Sequence, residues 1–303
     1  MATTTPRSNW ADHNPPVTTR IVKMSFVAII GSGPLGGAIA HKLAVRDRVR
    51  EVRLIDTEER IAQGKALDIR QASPIDGFAT RVVAAGSLAA AAGASAIVIA
   101  DPATGQGEFT GEAGLALMRQ VHAIEAAAPI VCAGASQREL MVRAIAELHI
   151  TDSRIVGSAP FALESALRAL AGLSIDVSGV DITLSVVGVP PDNAVVAWEE
   201  ASASAQPLRS QLAPHEIAAL SARLPRLWPP GPYALASAAA RIAEGIVNGS
   251  RRRVSCFVAA GRGRVGAMPV ELGEDGVRRL IEPVLTRQER TRLENALASD
   301  GGR

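Results

Sequence analysis

A glycine-rich loop directly after a buried apolar strand constrains this chain most. The apolar run Phe26–Ile30 is followed by Gly31-Ser32-Gly33-Pro34-Leu35-Gly36, where a helical segment begins. Gly31 permits a tight turn, Gly33 lets the backbone approach a ligand, and Gly36 lets the helix pack closely on the strand. The helix N-terminus offers free N–H groups to phosphate, and Pro34 suits its first turn because the missing N–H costs no helical hydrogen bond. The loop therefore predicts dinucleotide binding at Gly31, Gly33, Pro34, Leu35 and Gly36.

An acidic residue ends the next apolar strand, in Leu54-Ile55-Asp56, twenty residues after Gly36. A carboxylate at this place binds a ribose hydroxyl pair and repels a 2′-phosphate. The following Thr57-Glu58-Glu59 adds no cation, so the sequence favours NAD over NADP. Asp101 closes the fourth strand, where a doubly wound sheet places residues that face a ligand. It is predicted to contact ribose or substrate, or else to form an Asp-Pro turn.

Short apolar runs alternate with helical segments from Ser25 onward, which is typical of a parallel sheet covered on both faces. The helices are expected near 34–46, 58–72, 111–127 and 137–148, and an Ala cluster at 88–92 is also interpreted as helix. The predicted strands are Phe26–Ile30, Val52–Ile55, Arg81–Ala84, Ala96–Ala100, Pro129–Ala133 and Arg154–Val156. We therefore expect an α/β fold with a six-stranded Rossmann domain over residues 24–158, preceded by a disordered leader at 1–23.

The second half, residues 159–303, reads as a mixed α+β domain. Its pattern predicts helices at Phe161–Ala171 and Ala234–Val247 and a charged terminal helix at about 284–298. The strand candidates are Val180–Val187, Val254–Ala259 and Arg264–Val270.

The charge balance argues for a small-molecule or nucleotide partner. The chain has 303 residues, and 32 basic against 30 acidic residues leave a formal charge of +2, which is too balanced to indicate binding to nucleic acid or to a membrane surface.

Cys132 and Cys256 lie in apolar runs without the spacing of a metal site, which fits a reducing cytoplasm. The first twenty residues lack the apolar segment of a signal peptide, and the apolar stretch Leu88–Ala100 is too short to span a bilayer.

Several longer motifs resemble the malate/lactate dehydrogenase family across about 25–298. They are Arg60-Ile61-Ala62-Gln63-Gly64-Lys65-Ala66-Leu67-Asp68, Gln71-Ala72-Ser73-Pro74, Arg154-Ile155-Val156-Gly157, Gly231-Pro232-Tyr233-Ala234 and the run from Met268 to Val277. The resemblance implies a Rossmann domain followed by a substrate domain with the active site between them. It also implies a homodimer or homotetramer assembled partly through the helix at 58–72.

The residues that this family uses for chemistry are missing at the matching positions. The resemblance implies a proton-exchanging His within a Gly-Gly-His-Gly-Asp segment, and this chain has Pro190 there, in Gly188-Val189-Pro190-Pro191-Asp192. It implies two substrate-binding arginines in the loop after the fourth strand, and here both are glycines, Gly105 and Gly111. Ala135-Ser136-Gln137-Arg138 replaces an Asn-Pro-x-Asp segment, and Glu164 matches the acid of an Asp-x-x-Arg motif only with a one-residue slip.

Two residues are candidates for substitute proton transfer. Asp192 follows the lost His position and is otherwise a loop-capping residue, and Tyr233 precedes the long Ala-rich helix and otherwise packs. Glu108 and Glu112 are either a site for a cationic substrate or solvated loop charge. Three hypotheses remain: an NAD-dependent oxidoreductase with an altered substrate, a non-catalytic NAD-binding sensor or scaffold, and an ordinary malate or lactate dehydrogenase.

Overall fold

The computed structural model describes residues 25–105, 107–261 and 263–298. The predicted leader at 1–23 lies outside these residues. Strands β1 to β14 are Phe26–Ile30, Glu51–Ile55, Arg81–Ala85, Ala96–Ile99, Ile130–Cys132, Ile155–Gly157, Ile182–Thr183, Val186–Val189, Asn193–Val196, Ser202–Ala203, Gln206–Pro207, Arg253–Ala259, Val265–Gly273 and Gly276–Leu280. Helices α1 to α8 are Pro34–Arg46, Glu59–Asp76, Gly111–Ile124, Arg138–Leu148, Ala159–Ile175, Pro214–Arg223, Pro232–Val247 and Arg287–Ala298.

The first half is a doubly wound parallel sheet with strand order β3-β2-β1-β4-β5-β6. β1 and β4 are buried along their whole length, as expected for strands covered on both faces. The strand order reverses between β1 and β4, and this switch point is where such sheets bind their ligands. The predicted Rossmann fold is confirmed, and all six predicted strands are present with ends shifted by at most one residue.

The structure corrects the ends of several predicted helices. α3 stops at Ile124 rather than near 127, and α5 runs from Ala159 to Ile175 rather than from 161 to 171. α2 continues to Asp76 rather than ending near 72, with Pro74 inside its last turn, and it stops at Gly77, whose φ of 74° is left-handed. Pro74 lacks the N–H of an ordinary helical residue. The helix ends two residues later at Asp76, so this loss affects only its last turn. The Ala cluster at 88–92 is a short 3-10 helix, Leu88–Ala91, capped by the Ser87 side chain, rather than an α-helix.

The second half continues the same sheet. β6 pairs antiparallel with β12 through Gly157 and Phe257, and the order then runs β12-β13-β8-β9, with β14 on β13. A separate three-stranded sheet, β11-β10-β7, lies over a smaller core around Leu163 and Trp198. The predicted β-rich stretch at 180–187 begins as a 3-10 turn, Gly179–Asp181, before β7 and β8. Within the described ranges, no helix is long and apolar enough to cross a membrane.

Candidate cofactor and substrate site

The glycine loop leaves β1 at the switch point and enters α1 at Pro34, as predicted. The Gly31 N–H donates to the Ile55 carbonyl at 2.8 Å, and Gly31 has a φ of 100°, a left-handed value that favours glycine. A Cβ on Gly36 would lie 2.1 Å from the Gly31 carbonyl oxygen, so only glycine lets α1 pack this closely on the turn. The loop therefore has the tight turn and the close packing that its spacing indicates.

Asp56 lies at the end of β2 beside this loop, but its carboxylate binds backbone. It accepts hydrogen bonds from the N–H groups of Ser32 at 2.7 Å, Glu58 at 2.9 Å and Ala103 at 2.8 Å. Burial alone would raise the pKa of Asp56, but these donors outweigh it, so the pKa lies below its ordinary value. A carboxylate has about four acceptor positions, so at most one is left for a ribose hydroxyl.

Asp101 lies against the glycine loop itself. Its backbone carbonyl accepts from the Gly33 N–H at 2.9 Å. Its carboxylate accepts from Leu35 N–H at 3.1 Å and from Gly36 N–H at 2.8 Å, the free donors at the start of α1. A Cβ on Gly33 would lie 2.4 Å from the Asp101 Cγ, so this side chain fills the space that the glycine leaves open.

An apolar cavity of about 210 Å³ adjoins the loop on the β2 side. Ile30, Ile55, Leu88, Phe109 and Leu117 contribute to its walls, and Asp56 lies at its edge. A cavity of this kind fits a flat aromatic base, and Asp56 beside it is the predicted ribose contact. Its place beside Gly31 and Asp56 therefore suits an adenosine.

Glu108 fastens the loop that follows β4. Its carboxylate accepts from the N–H groups of Ala135 at 2.8 Å and Ser136 at 2.7 Å, just after β5. Burial raises the pKa of Glu108 above its ordinary value, although the two donors partly oppose the shift. Buried Gln137 accepts from Gly134 N–H at 2.9 Å and donates to the Ala100 carbonyl at 3.2 Å. The bonds to Ala135 and Ser136 show that Glu108 positions the loop after β4 against the end of β5. The sequence does not predict this role, because no motif links residue 108 to residue 135.

Pro190 is buried at the turn between β8 and β9. Asp192, two residues later, is exposed and lines a different cavity of about 470 Å³, together with Trp198 and Arg292. Tyr233 is 85% exposed at the start of α7. The structure thus does not bring Asp192 or Tyr233 into the cavity beside the glycine loop, and their catalytic roles stay predictions.

Gly105 and Gly111 lie on either side of Glu108, in the loop and at the first residue of α3. Both have positive φ, 107° and 57°, and a Cβ on Gly111 would meet nothing within 4 Å. Glu112, also predicted as a possible contact for a cation, pairs with Arg143 at 2.8 Å. Neither glycine supplies a group that could bind a carboxylate.

The two cysteines are buried and free, as their apolar surroundings predicted. Burial raises the pKa of Cys132 to about 12 and shifts the pKa of Cys256 upward as well, so both are protonated at neutral pH. Among the described residues, no group of His, Cys, Asp and Glu side chains is arranged to hold a metal ion.

Comparison with known proteins identifies the domain that holds the glycine loop. Residues 25–142 match the family model described as lactate/malate dehydrogenase, NAD binding domain. This part of the chain is therefore similar to the NAD-binding domain of lactate and malate dehydrogenases. The match also confirms the prediction of NAD as the cofactor.

Solved structures show that the rest of the chain shares the dehydrogenase fold. A malate dehydrogenase from Salinibacter ruber is 24% identical with a TM-score of 0.78, covering 90% of this chain and 94% of its own. A lactate dehydrogenase from Cryptosporidium parvum, complexed with lactic acid and NAD, is 22% identical with a TM-score of 0.80, covering 91% and 95%. At these identities the likeness concerns the fold alone.

The residues of the loop fit NAD only in part. The apolar cavity and Asp56 suit its adenosine end. The position for the diphosphate, by contrast, is filled by the Asp101 carboxylate, which uses the N–H groups of Leu35 and Gly36. Two anions cannot use the same donors at once, so the site as folded does not accommodate the diphosphate.

Proposed function

We propose that this chain is an NAD-binding protein of the dehydrogenase fold whose altered site does not oxidise ordinary 2-hydroxy acids. The observation that carries the proposal is Pro190, buried at the β8–β9 turn where the resemblance implies a proton-exchanging His. Proline has no titratable group, and loss of a general acid or base costs about 10²- to 10⁴-fold in rate. A reaction that needs a proton at this place therefore lacks its donor.

The loop after β4 supports the same proposal. A carboxylate substrate is recognised best by the paired N–H groups of an arginine, and Gly105 and Gly111 replace both arginines that the resemblance implies. A Cβ on Gly105 would meet only the Pro102 side chain, at 3.8 Å, so space is present without a cation. For this reason Pro190→His alone is not expected to create malate or lactate turnover.

Two roles are compatible with such a site. The first is an oxidoreductase that acts on a substrate without a carboxylate, with its proton handled by Asp192, Tyr233 or water. The second is a non-catalytic NAD-binding sensor or scaffold. Asp192 and Tyr233 are both exposed, and this favours the second role, because a group that transfers a proton during hydride transfer acts in a site shielded from water.

Turnover and NAD binding, measured on the same preparation, test the proposal. We expect saturable NAD binding without any change in nicotinamide absorbance when malate, lactate, oxaloacetate or pyruvate is added. Turnover of any of these acids would overturn it. A wider panel of uncharged carbonyl and imine compounds then separates the two roles. Activity that is lost in Asp192→Asn or Tyr233→Phe would establish the oxidoreductase.

The resemblance also supports a proposal about assembly and location. We propose a cytoplasmic homodimer or homotetramer that uses α2, on which Ile61 is 38% and Ile75 is 87% exposed. Sedimentation equilibrium is expected to give two or four chains, and Ile75→Glu to shift the distribution toward monomer. A wild-type monomer at micromolar concentration would refute the assembly.

A further inference from the structure

Asp101 places a charged group where a dinucleotide-binding loop holds the diphosphate of its cofactor. Its carboxylate receives two N–H donors from the first turn of α1, Leu35 at 3.1 Å and Gly36 at 2.8 Å. A helix N-terminus favours an anion at this place because its N–H groups are free and its dipole is positive. In a dinucleotide-binding loop, that anion is the diphosphate of the cofactor.

The glycines show that the carboxylate takes the space of the phosphates as well as their donors. The second glycine of the loop lacks a side chain so that a diphosphate can approach the backbone. Here a Cβ on that residue, Gly33, would meet the Asp101 Cγ and Oδ2, both at 2.4 Å. The diphosphate and the Asp101 carboxylate therefore compete for one volume.

Neighbouring contacts hold Asp101 in this position. Its backbone carbonyl accepts from Gly33 N–H at 2.9 Å, next to the side-chain contacts. Two residues later, the Ala103 N–H donates to Asp56 at 2.8 Å and ties the loop to the end of β2. The segment 101–103 is therefore attached to the glycine loop and to β2 at once.

The apolar cavity that suits an adenosine adjoins the segment after β4 but does not include Asp101. Its lining includes Ile55, Leu88, Phe109 and Pro102, while Asp101 itself is not among the lining residues. An uncharged nucleoside can enter this cavity without moving Asp101. A ligand that carries a diphosphate cannot do so.

We propose that Asp101 is a built-in competitor for the cofactor diphosphate, which sets the ligand preference of this site. The glycine loop accepts an adenosine without rearrangement, and it accepts NAD only when the Asp101 side chain turns away. NAD affinity is thereby lowered relative to that of an uncharged nucleoside. The inference rests on the proposed NAD binding.

Isothermal titration of the full chain with NAD, ADP and adenosine, at one pH and one salt concentration, tests this proposal. Asp101→Ala frees the two donors and removes the repulsion, so NAD and ADP are expected to bind about 10- to 100-fold more tightly. Adenosine is expected to bind wild type and variant within about twofold of each other, because its cavity is unchanged. Asp152→Ala removes an exposed carboxylate from the turn before β6 and serves as the matched control, with wild-type affinities for all three ligands.

Asp101→Asn keeps the shape of the side chain and removes only its charge. It is expected to tighten NAD binding about fivefold or more, and it carries the test if the alanine variant does not fold. Equal NAD affinity in wild type and variants would overturn the role of Asp101 and leave NAD binding intact. Weaker NAD binding in the variants would make Asp101 a ligand contact and also overturn it. Failure of every variant to bind NAD or ADP would refute both this inference and the proposed function.

Discussion

Glu164 is a buried acid on helix α5. One carboxylate oxygen accepts from Ser255 N–H at 3.3 Å, and the other lies 3.7 Å from the Arg168 guanidinium. Burial raises the pKa of Glu164 to about 7, although Ser255 and Arg168 both oppose the shift. The charged form is therefore disfavoured in the folded chain and not in the unfolded one.

This shift predicts a pH dependence of stability with a definite sign. The folded pKa lies above the unfolded value, so the folded state binds the proton more tightly, and stability falls as the pH rises from about 4.5 to 7. The loss attributable to this group is roughly 1–3 kcal/mol. Glu164→Gln stays neutral and keeps an acceptor for Ser255, so we expect it to be more stable than wild type at pH 8 and nearly equal at pH 4.5. Urea unfolding at both pH values measures the difference, and an equal effect of the substitution at the two would contradict the prediction.

At the scale of single residues, the sequence predicts the position of Asp56 but not the hydrogen bonds of Asp101. Asp56 was predicted at the ribose position because its distance from Gly36 follows from the strand–helix–strand geometry. The pairing of Asp101 with Leu35 and Gly36 could not be predicted, since it depends on the direction of one side chain in a loop. The signal in the sequence is an acid, Asp101, at the end of the fourth strand, where a doubly wound sheet places residues that face a ligand. That signal marks an unusual position without telling which group it binds.

The Glu108 carboxylate anchors the later part of the loop after β4. Glu108 accepts from the backbone after β5, and it lies so close that a Cβ on Gly134 would fall 2.1 Å from its Cδ. Gly134→Ala therefore forces the Glu108 side chain out of place and leaves the N–H groups of Ala135 and Ser136 without their acceptor.

We expect Gly134→Ala to destabilise the chain by roughly 2 kcal/mol, from lost hydrogen bonds and overpacking. Gly64→Ala is the matched control, because a Cβ there meets nothing within 4 Å on helix α2 and alanine favours helix by about 0.5–1 kcal/mol. Hydrogen exchange at residues 135–136 is expected to rise in the first variant only. Unchanged exchange and stability in Gly134→Ala would refute the anchoring role of Glu108.

Elements were predictable where periodicity decided them. β1 and α1 have the predicted bounds because a fully apolar run and a Pro-initiated helix leave little choice. The end of α2 was not predictable from Pro74, since proline usually terminates a helix and here it occupies the last turn. The 3-10 helix at Leu88–Ala91 likewise depends on the Ser87 cap, which outweighs the helix preference of alanine in so short a segment.

At the scale of the whole molecule, the apolar core around the parallel sheet extends past the predicted boundary at residue 158, while a smaller core lies wholly in the second half. The pairing of Gly157 with Phe257 joins the parallel sheet to the antiparallel strands of the second half. α7 comes from the second half, and its buried residues Ala239 and Ala243 belong to the same apolar core as Ile39 and Leu43 of α1. The sequence located the change from parallel to mixed strands, but apolar patterning does not show which helix covers which face.

This shared core predicts that the two halves fold together. A fragment ending at Ser158 would expose the face of α1 that α7 covers, and burial of apolar surface contributes about 25 cal/mol per Å² to stability. We therefore expect the fragment to lack a cooperative thermal transition, while the full chain unfolds in a single one by near-ultraviolet and far-ultraviolet circular dichroism alike. A fragment that melts cooperatively, or a full chain with two separated transitions, would show that residues 24–158 are an independent folding unit. A single transition would mean that the two halves unfold together. A destabilising substitution in α7 would then also lower the stability of the glycine loop, because α7 packs on α1, whose first turn binds Asp101.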